Sequence, residues 1–230
     1  MIEIVDLQKV YGKKIALSID KLKITRNDFI GLVGNNGVGK TTMLSLILDL
    51  IEPTKGYVES KSVKVSETDN WKNYTGSFLN EEFLIPFLTP VEYLGFIGKL
   101  HGKNSSDVDA FLKENSNFID KDAFSGKYIR ELSSGNKNKI GIIASFFSSP
   151  DILILDEPFA SLDPSSQSWL KSKLKELNNQ GTTILISSHD LKHVTEVCSR
   201  ILLLEDGNIV QDTNTSSNTL PELEKYFQIG

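Results

Sequence analysis

One short segment restricts the possible folds of this chain more than any other feature. Residues 34–42 read GNNGVGKTT, which satisfies the pattern G-x-x-x-x-G-K-[ST]. The segment follows the apolar run Phe29–Val33 and leads into Thr41–Ile51, which is rich in helix formers and contains neither Gly nor Pro. A loop of this kind between a strand and a helix is the setting in which a backbone wraps around phosphate groups. The motif and its setting predict an α/β fold that binds a phosphorylated ligand.

The chemistry of this loop assigns roles to its residues. Glycines let successive N–H groups point inward at phosphate oxygens, and the start of the helix adds unpaired donors with partial positive charge. Lys40 supplies a compact cation for the β- and γ-phosphates, and Thr41 supplies a hydroxyl for Mg²⁺. A dinucleotide loop would need G-x-G-x-x-G, which is missing here. The candidate nucleotide-binding residues of the loop are Gly34, Asn35, Asn36, Gly37, Val38, Gly39, Lys40, Thr41 and Thr42.

Two adjacent carboxylates end another apolar strand. Residues 151–158 read DILILDEP, and carboxylates at the carboxyl end of a strand lie where open α/β sheets bind their ligands. We expect Asp156 to hold Mg²⁺ through water. We expect Glu157 to orient or deprotonate the attacking water as a general base. A solvated turn with two acids is the structural alternative, which the phosphate loop upstream disfavours.

The second half of the chain alternates strands with helices. Short apolar runs at Ile152–Leu155, Thr183–Ile186 and Ile201–Leu204 are separated by the helical segments Ser165–Asn178 and Asp190–Cys198. Alternation of this kind predicts a mainly parallel sheet with crossover helices.

The first half and the tail have a different pattern. Ile2–Val5 and Ile15–Ile24 alternate apolar and polar residues, as half-buried strands do. The stretch from Thr89 to Lys127 is rich in helix formers and predicts a helical insertion, at about residues 85–135, within one domain of residues 1–230. Residues 213–218 (TNTSSN) are expected to form a loop.

Composition argues against several other classes of protein. The net charge of −5 offers no basic face for nucleic acid, so we expect no nucleic-acid partner. The single cysteine, Cys198, cannot form an internal disulfide and is expected to be buried and inert. The longest apolar run, Ile140–Phe147, is too short to span a bilayer, and the N-terminal residues do not resemble a signal peptide. We therefore expect a cytoplasmic chain whose membrane role would come through a partner.

A third segment resembles the ABC ATPase family. Residues 132–136 read LSSGN and precede DILILDEP, where that family has its LSGGQ signature. With the two nucleotide motifs, the resemblance covers nearly the whole chain. It implies an α/β fold with a P-loop NTPase-like, mainly parallel sheet, an N-terminal antiparallel β subdomain and a helical subdomain insertion. It also implies that ATP is bound and hydrolysed with Mg²⁺.

The resemblance implies roles for further residues. Tyr11 matches the aromatic residue that stacks on adenine, and His189 matches the switch histidine that contacts the γ-phosphate. Ser133 and Gly135 match the signature positions that contact the γ-phosphate of ATP held by an opposite subunit. Ser161-Leu162-Asp163 matches a segment that also contacts the opposite subunit. The structural alternatives are an edge-strand aromatic for Tyr11 and an ordinary structural histidine for His189. Lys40, Glu157 and His189 are thus the candidate catalytic residues.

The chain departs from the family pattern near the helical segment and in the signature. Asn80 stands where the family usually has glutamine, so it is a candidate contact to both ATP and Mg²⁺. Because Asn is one methylene shorter, Glu81 is an alternative. Ser134 replaces the second glycine of the signature, and Asn136 replaces its glutamine. The lysine and both carboxylates are retained, so we expect activity to survive.

The resemblance implies that two ATP-binding subunits, identical or different, pack head to tail around two ATP molecules. The leading hypothesis is the energy subunit of an ABC transporter, peripheral on the inner face of the cell membrane. It would drive a separate membrane-spanning subunit, with the segment after Asn80 as the relay; the fold-level analogy is to bacterial exporters. One alternative is a soluble ABC-type ATPase that acts on nucleic acid or ribosomes. Another is a weakly hydrolysing, nucleotide-gated regulatory subunit.

Overall fold

The computed structural model describes residues 1–119 and 125–229. Its elements in chain order are β1 (Ile2–Tyr11), β2 (Lys14–Ile24), β3 (Phe29–Val33), α1 (Lys40–Ile47), β4 (Lys55–Ser60), β5 (Val63–Lys64), β6 (Thr75–Phe78), α2 (Pro90–Leu100), α3 (Ser105–Glu114), α4 (Ser134–Phe146), β7 (Ile152–Leu155), α5 (Pro164–Asn179), β8 (Thr183–Ser188), α6 (Leu191–Val197), β9 (Arg200–Glu205), β10 (Asn208–Asn214) and α7 (Thr219–Ile229). The strands form two sheets.

The larger sheet has the strand order β10-β9-β3-β8-β7-β6. Its strands are parallel except for β10, which runs antiparallel to β9. Strands β3, β7 and β8 are buried along their whole length, because apolar layers cover both faces of the sheet. The predicted mainly parallel sheet is confirmed. The prediction of a loop at residues 213–218 is wrong at its start, since β10 continues to Asn214.

The smaller sheet has the order β2-β1-β4-β5, and each neighbouring pair is antiparallel. This sheet is the predicted N-terminal antiparallel subdomain. Strand β3 shows how the two sheets share one core, because its side chains alternate in direction. Ile30 and Leu32 pack with Leu17 and Ile19 of β2, whereas Phe29 and Val33 pack into the helical layer on the other side.

The segment between β6 and β7 is helical where it is described. Thr89 and Glu92 form a reciprocal capping box at the start of α2, and Pro90 occupies the first helical turn. Asn104 and Asp107 cap α3 in the same way. Residues 120–124 lie outside the described residues. The limits of the insertion, and its place within one domain of residues 1–230, stay predictions.

Helix α4 packs closely on β6. A Cβ atom added at Gly76 would lie 1.7 Å from the carbonyl oxygen of Ser145, so the strand and the helix backbone are in direct contact there. The ring of Phe78 occupies the corresponding space beside Gly141. These small residues bring the start of α4 close to the loop that follows β6.

We predict that Gly76→Ala lowers the free energy of unfolding by about 2 kcal/mol or more, because the backbone oxygen of Ser145 cannot move aside without shifting α4. Gly95→Ala in α2 is the matched control, since its added Cβ would meet nothing within 4 Å. The free energy of unfolding of the control should rise by up to about 1 kcal/mol, because alanine has a higher helix propensity than glycine. Urea unfolding of both variants tests the contrast, and equal stabilities would contradict it.

Candidate functional site

The phosphate loop connects the carboxyl end of β3 to α1. Gly39 has a φ of +113°, and a Cβ there would lie 2.5 Å from the carbonyl oxygen of Ala16. A Cβ at Gly34 would lie 2.3 Å from the carbonyl oxygen of Leu204. Both positions therefore need glycine, because the loop lies directly against the backbone of two neighbouring strands.

Lys40 lies beneath this loop and is 6% exposed. Its Nζ donates to the carbonyl oxygens of Gly34 at 2.7 Å and Asn35 at 3.3 Å. The same ammonium lies 3.6 Å from Oε1 of Glu157. The loop thus holds a buried cation directly beside the acidic end of β7.

Asp156 links the start of α1 to the end of β8. Its Oδ2 accepts a hydrogen bond from Thr41 Oγ1 at 2.6 Å, and its Oδ1 accepts one from the hydroxyl of Ser187. A hydroxyl and a carboxylate converge here, and hard oxygen donors of this kind suit Mg²⁺. Two of the three predicted metal ligands, Thr41 and Asp156, are therefore in contact.

Glu157 bridges the other two candidate catalytic residues. Its Oε2 lies 2.9 Å from Nδ1 of His189 and accepts the backbone N–H of the same residue at 3.3 Å, while Oε1 faces Lys40. Glu157 has a φ of +46°, a strained conformation for a residue with a side chain. The backbone turn aims this carboxylate at both partners, so Lys40, Glu157 and His189 form one connected group.

Ser187 is a residue of the site that the sequence analysis missed. It is fully buried, donates to Asp156, and accepts the backbone N–H of Glu157 at 2.9 Å. Strands β7 and β8 are parallel with Leu155 opposite Ile186, so the next residues of each strand lie side by side. A polar residue that ends a buried parallel strand was the available signal.

One cleft contains much of this group. It is lined by Ala16, Asn36, Gly37, Gly39, Lys40, Thr41, Thr42, Asp156 and Glu157. Ala16 of β2 was not predicted. Two predicted loop residues, Asn35 and Val38, line a different cavity with Tyr226 and Phe227 of α7. Tyr11 is 51% exposed at the end of β1, and the ammonium of Lys9 lies 5.1 Å from its ring centre.

The signature residues lie at the start of α4. The hydroxyl of Ser133 caps the helix by accepting a hydrogen bond from the N–H of Asn136 at 3.3 Å, and Ser133 is exposed. A Cβ atom added at Gly135 would lie 3.0 Å from the carbonyl oxygen of Ser161. Neither Ser133 nor Gly135 is among the residues that line the phosphate cleft of this chain. The predicted contact of these two residues with a nucleotide on a second subunit stays a prediction.

Helix α4 is tied to the segment that follows Glu157. Asn138 Nδ2 donates to the carbonyl oxygen of Ala160 at 2.8 Å, and Lys139 Nζ lies 3.3 Å from Oδ2 of Asp163. Hydrogen bonds from Ser165 and Ser166 hold the pKa of Asp163 well below its usual range. These bonds orient the carboxylate of Asp163, which also contacts Lys139.

Asn80 and Glu81 follow β6 and lie near Asp156 and Glu157. They line a second cleft together with Leu79, Ser134, Asn138, Asp156, Glu157, Ala160 and Ser161. The side-chain oxygen of Asn80 accepts the N–H of Glu82 at 2.8 Å. Asn80 is thus adjacent to the acidic strand end, but its amide oxygen is bonded within its own loop.

The sequence model of the ABC transporter family matches residues 17–160. The chain belongs to this family. An ABC transporter ATP-binding protein of Alkalihalophilus pseudofirmus is 37% identical over 197 residues, which cover 86% of this chain and 71% of that protein. A bacitracin transport ATP-binding protein of Enterococcus faecalis is 33% identical over 219 residues, with coverage of 94% and 70%.

Solved structures give the same result. A bacterial ABC transporter cassette solved as a dimer superposes with a TM-score of 0.83 at 25% identity, covering 94% of this chain and all of that one. The same cassette in a post-hydrolysis state bound to ADP and Pi gives 0.82 at 24% identity. These superpositions show the fold, and membership of the ABC transporter family makes the chain an ATP-binding ABC-type ATPase, as the sequence resemblance implied. Among the residues that the structure describes, no helix is long and apolar enough to cross a membrane.

We predict that Ser187→Ala lowers the free energy of unfolding by about 1–3 kcal/mol, because it leaves a buried carboxylate and a backbone N–H without their partner. ATP turnover should fall as well, since Asp156 and Glu157 both lose a constraint on their orientation. Ser168→Ala, at an exposed position on α5, is the control for removing a hydroxyl. Thermal unfolding and steady-state hydrolysis measure both effects, and a variant indistinguishable from the control would refute them.

Proposed function

We propose that this chain is the energy subunit of an ABC transporter, which drives a separate membrane-spanning subunit. The observation that carries the transport role is the 33% identity with a protein named a bacitracin transport ATP-binding protein. The contact of Glu157 with both Lys40 and His189 beside the phosphate loop supports ATP hydrolysis as the source of energy. An exporter is the favoured direction, because one relative at 29% identity is named a linearmycin resistance ATP-binding protein. Removal of a toxic compound from the cell is the direction of transport that gives resistance.

In the proposed site, the backbone N–H groups of residues 34–42 and the ammonium of Lys40 bind the ATP phosphates. Thr41 and Asp156 would hold Mg²⁺, which neutralises phosphate charge when bound. Glu157 orients and deprotonates the attacking water, and His189 contacts the γ-phosphate. Asn80 would contact nucleotide or metal either through the second lone pair of its amide oxygen or after that oxygen releases the N–H of Glu82.

A second ATP-binding subunit completes the proposed site. Ser133 and Gly135 would reach the γ-phosphate of ATP held by that subunit, with the start of α4 as the anion-binding helix end. Neither residue lines the phosphate cleft of its own chain, which supports an action on the neighbouring subunit. Tyr11, at the exposed end of β1, would stack on adenine.

The segment after Asn80 is the proposed contact with the membrane-spanning subunit. It carries several exposed large apolar side chains: Phe83, Phe87, Val91, Phe96, Leu100 and Tyr128. Clusters of exposed apolar groups mark interaction surfaces. Docking through this segment would hold the chain on the inner face of the membrane.

We predict that Glu157→Gln keeps ATP affinity but slows turnover by roughly 10²-fold or more, because the base is lost while the shape of the side chain is retained. Lys40→Ala is the contrasting variant and should lose nucleotide binding. Calorimetric titration with ATP, followed by phosphate release assays, separates the two effects. Near-normal turnover by Glu157→Gln would remove Glu157 from the role of base, and wild-type protein without turnover would favour the regulatory alternative.

The transport role itself is tested by affinity capture of the tagged chain from detergent-solubilised membranes of its native host. The expected result is a stoichiometric polytopic membrane protein, identified by mass spectrometry. Recovery of soluble or ribosomal partners alone would contradict the transporter proposal and favour a soluble ATPase. A Phe83→Ser, Phe87→Ser variant should lose the membrane protein while it retains ATP hydrolysis.

A further inference from the structure

One acidic side chain joins the loop after β6 to the beginning of α4. Oε2 of Glu81 lies 3.4 Å from Oγ of Ser134 and 3.5 Å from Nζ of Lys137. Ser134 and Lys137 are three residues apart on a helix, so they present neighbouring side chains to this carboxylate. Glu81 therefore contacts the same helical turn that carries the signature residues.

The hydrogen bond between the side chain of Asn80 and the N–H of Glu82 positions Glu81 for this contact. Asn80 caps the short turn Glu81–Phe83 by accepting the N–H of Glu82. The turn fixes the backbone of Glu81 beside α4, while the amide oxygen of Asn80 is occupied within the loop. In this chain, Glu81 is thus the side chain through which the loop reaches the signature helix.

The charges that line this cleft favour the position of the Glu81 carboxylate beside α4. Glu81, Asp156 and Glu157 all line this cleft, and like charges at close range disfavour one another. Lys137 attracts Glu81 toward α4, and Ser134 adds a hydroxyl at a position where a glycine would offer none. Together they hold the carboxylate on the α4 side of the cleft, away from the other two acids.

We propose that Glu81 is a positioning residue for the signature. By holding Ser134 and Lys137, it sets the position of the start of α4, and hence the fit of Ser133 and Gly135 to ATP on the second subunit. This inference depends on the proposed head-to-tail pairing, because it assigns Glu81 an effect on the neighbouring subunit's nucleotide. A direct ligand of Mg²⁺ at this position would instead act on the nucleotide of its own chain.

The two actions are separated by measuring binding and association independently. Mg-ATP affinity is measured on the full chain at protein concentrations too low for pairing, and ATP-driven association is measured by sedimentation in a Glu157→Gln background. Glu81→Ala should leave the affinity of the single chain within about twofold and raise the ATP concentration for half-maximal association at least about tenfold, as loss of a positioning contact implies. Glu82→Ala, at the neighbouring exposed glutamate, should change neither value.

Either of two results from this comparison overturns the inference. Weaker binding of Mg-ATP to the single Glu81→Ala chain would assign Glu81 to its own nucleotide site. Unchanged association would remove the positioning role.

Charge reversal distinguishes positioning from a general structural effect. Glu81→Lys should impair association, and the additional change Lys137→Glu should restore most of it; no recovery in the double variant contradicts the inference. Ser133→Ala in the same background tests the pairing on which the inference depends. Normal association of Ser133→Ala would overturn the pairing and the inference together, whereas impaired Ser133→Ala beside normal Glu81→Ala would overturn the inference alone.

Discussion

The ion pair between Lys40 and Glu157 depends on three neighbouring strands that run in the same direction. Strands β3, β8 and β7 are adjacent and parallel, so their carboxyl ends meet at one edge of the sheet. The loop after β3 supplies Lys40, the end of β7 supplies Glu157, and the residue after β8 is His189. A slip of one residue in any of these pairings would turn the side chains to the opposite face. The complete burial of these strands therefore fixes the chemistry as well as the core.

The balance of charge at this edge explains why a nucleotide-binding site can exist in an acidic protein. The buried ammonium of Lys40 contacts the carboxylate of Glu157 and the carbonyl oxygens of Gly34 and Asn35, whereas the carboxylate of Asp156 accepts hydrogen bonds from the hydroxyls of Thr41 and Ser187. Incoming phosphates therefore meet a local cation and the N–H groups of a helix start, whatever the net charge of the chain. Asp156 accepts hydrogen bonds from the hydroxyls of Thr41 and Ser187, and carboxylate and hydroxyl oxygens are ligands that suit Mg²⁺.

The sequence predicted the parts of the site that depend on local chemistry. Residues 34–42 and 156–157 were found because a phosphate loop and an acidic strand end need particular residues in a contiguous segment. Ser187 was missed because its role arises from the register of β7 and β8, which joins residues distant in the chain. The capping bond of Asn80 was missed for a similar reason, since a family comparison assigns the residue but not its rotamer. Strand β10 was not predicted because most of its residues are polar. The Asp206-Gly207 turn before it is nevertheless a typical hairpin signal.

In the proposed pair of subunits, helix α4 would couple residues that act on different nucleotides. Its contacts through Asn138 and Lys139 bind it to the segment that starts at Asp156 and Glu157 and ends at Asp163. The acidic strand end and the start of α4 are therefore linked by direct contacts within one chain. Because close-packed interiors transmit strain, a shift of the acidic strand end would be passed to the signature of the same subunit. In a pair of subunits this connection gives each ATP a physical route to influence the other.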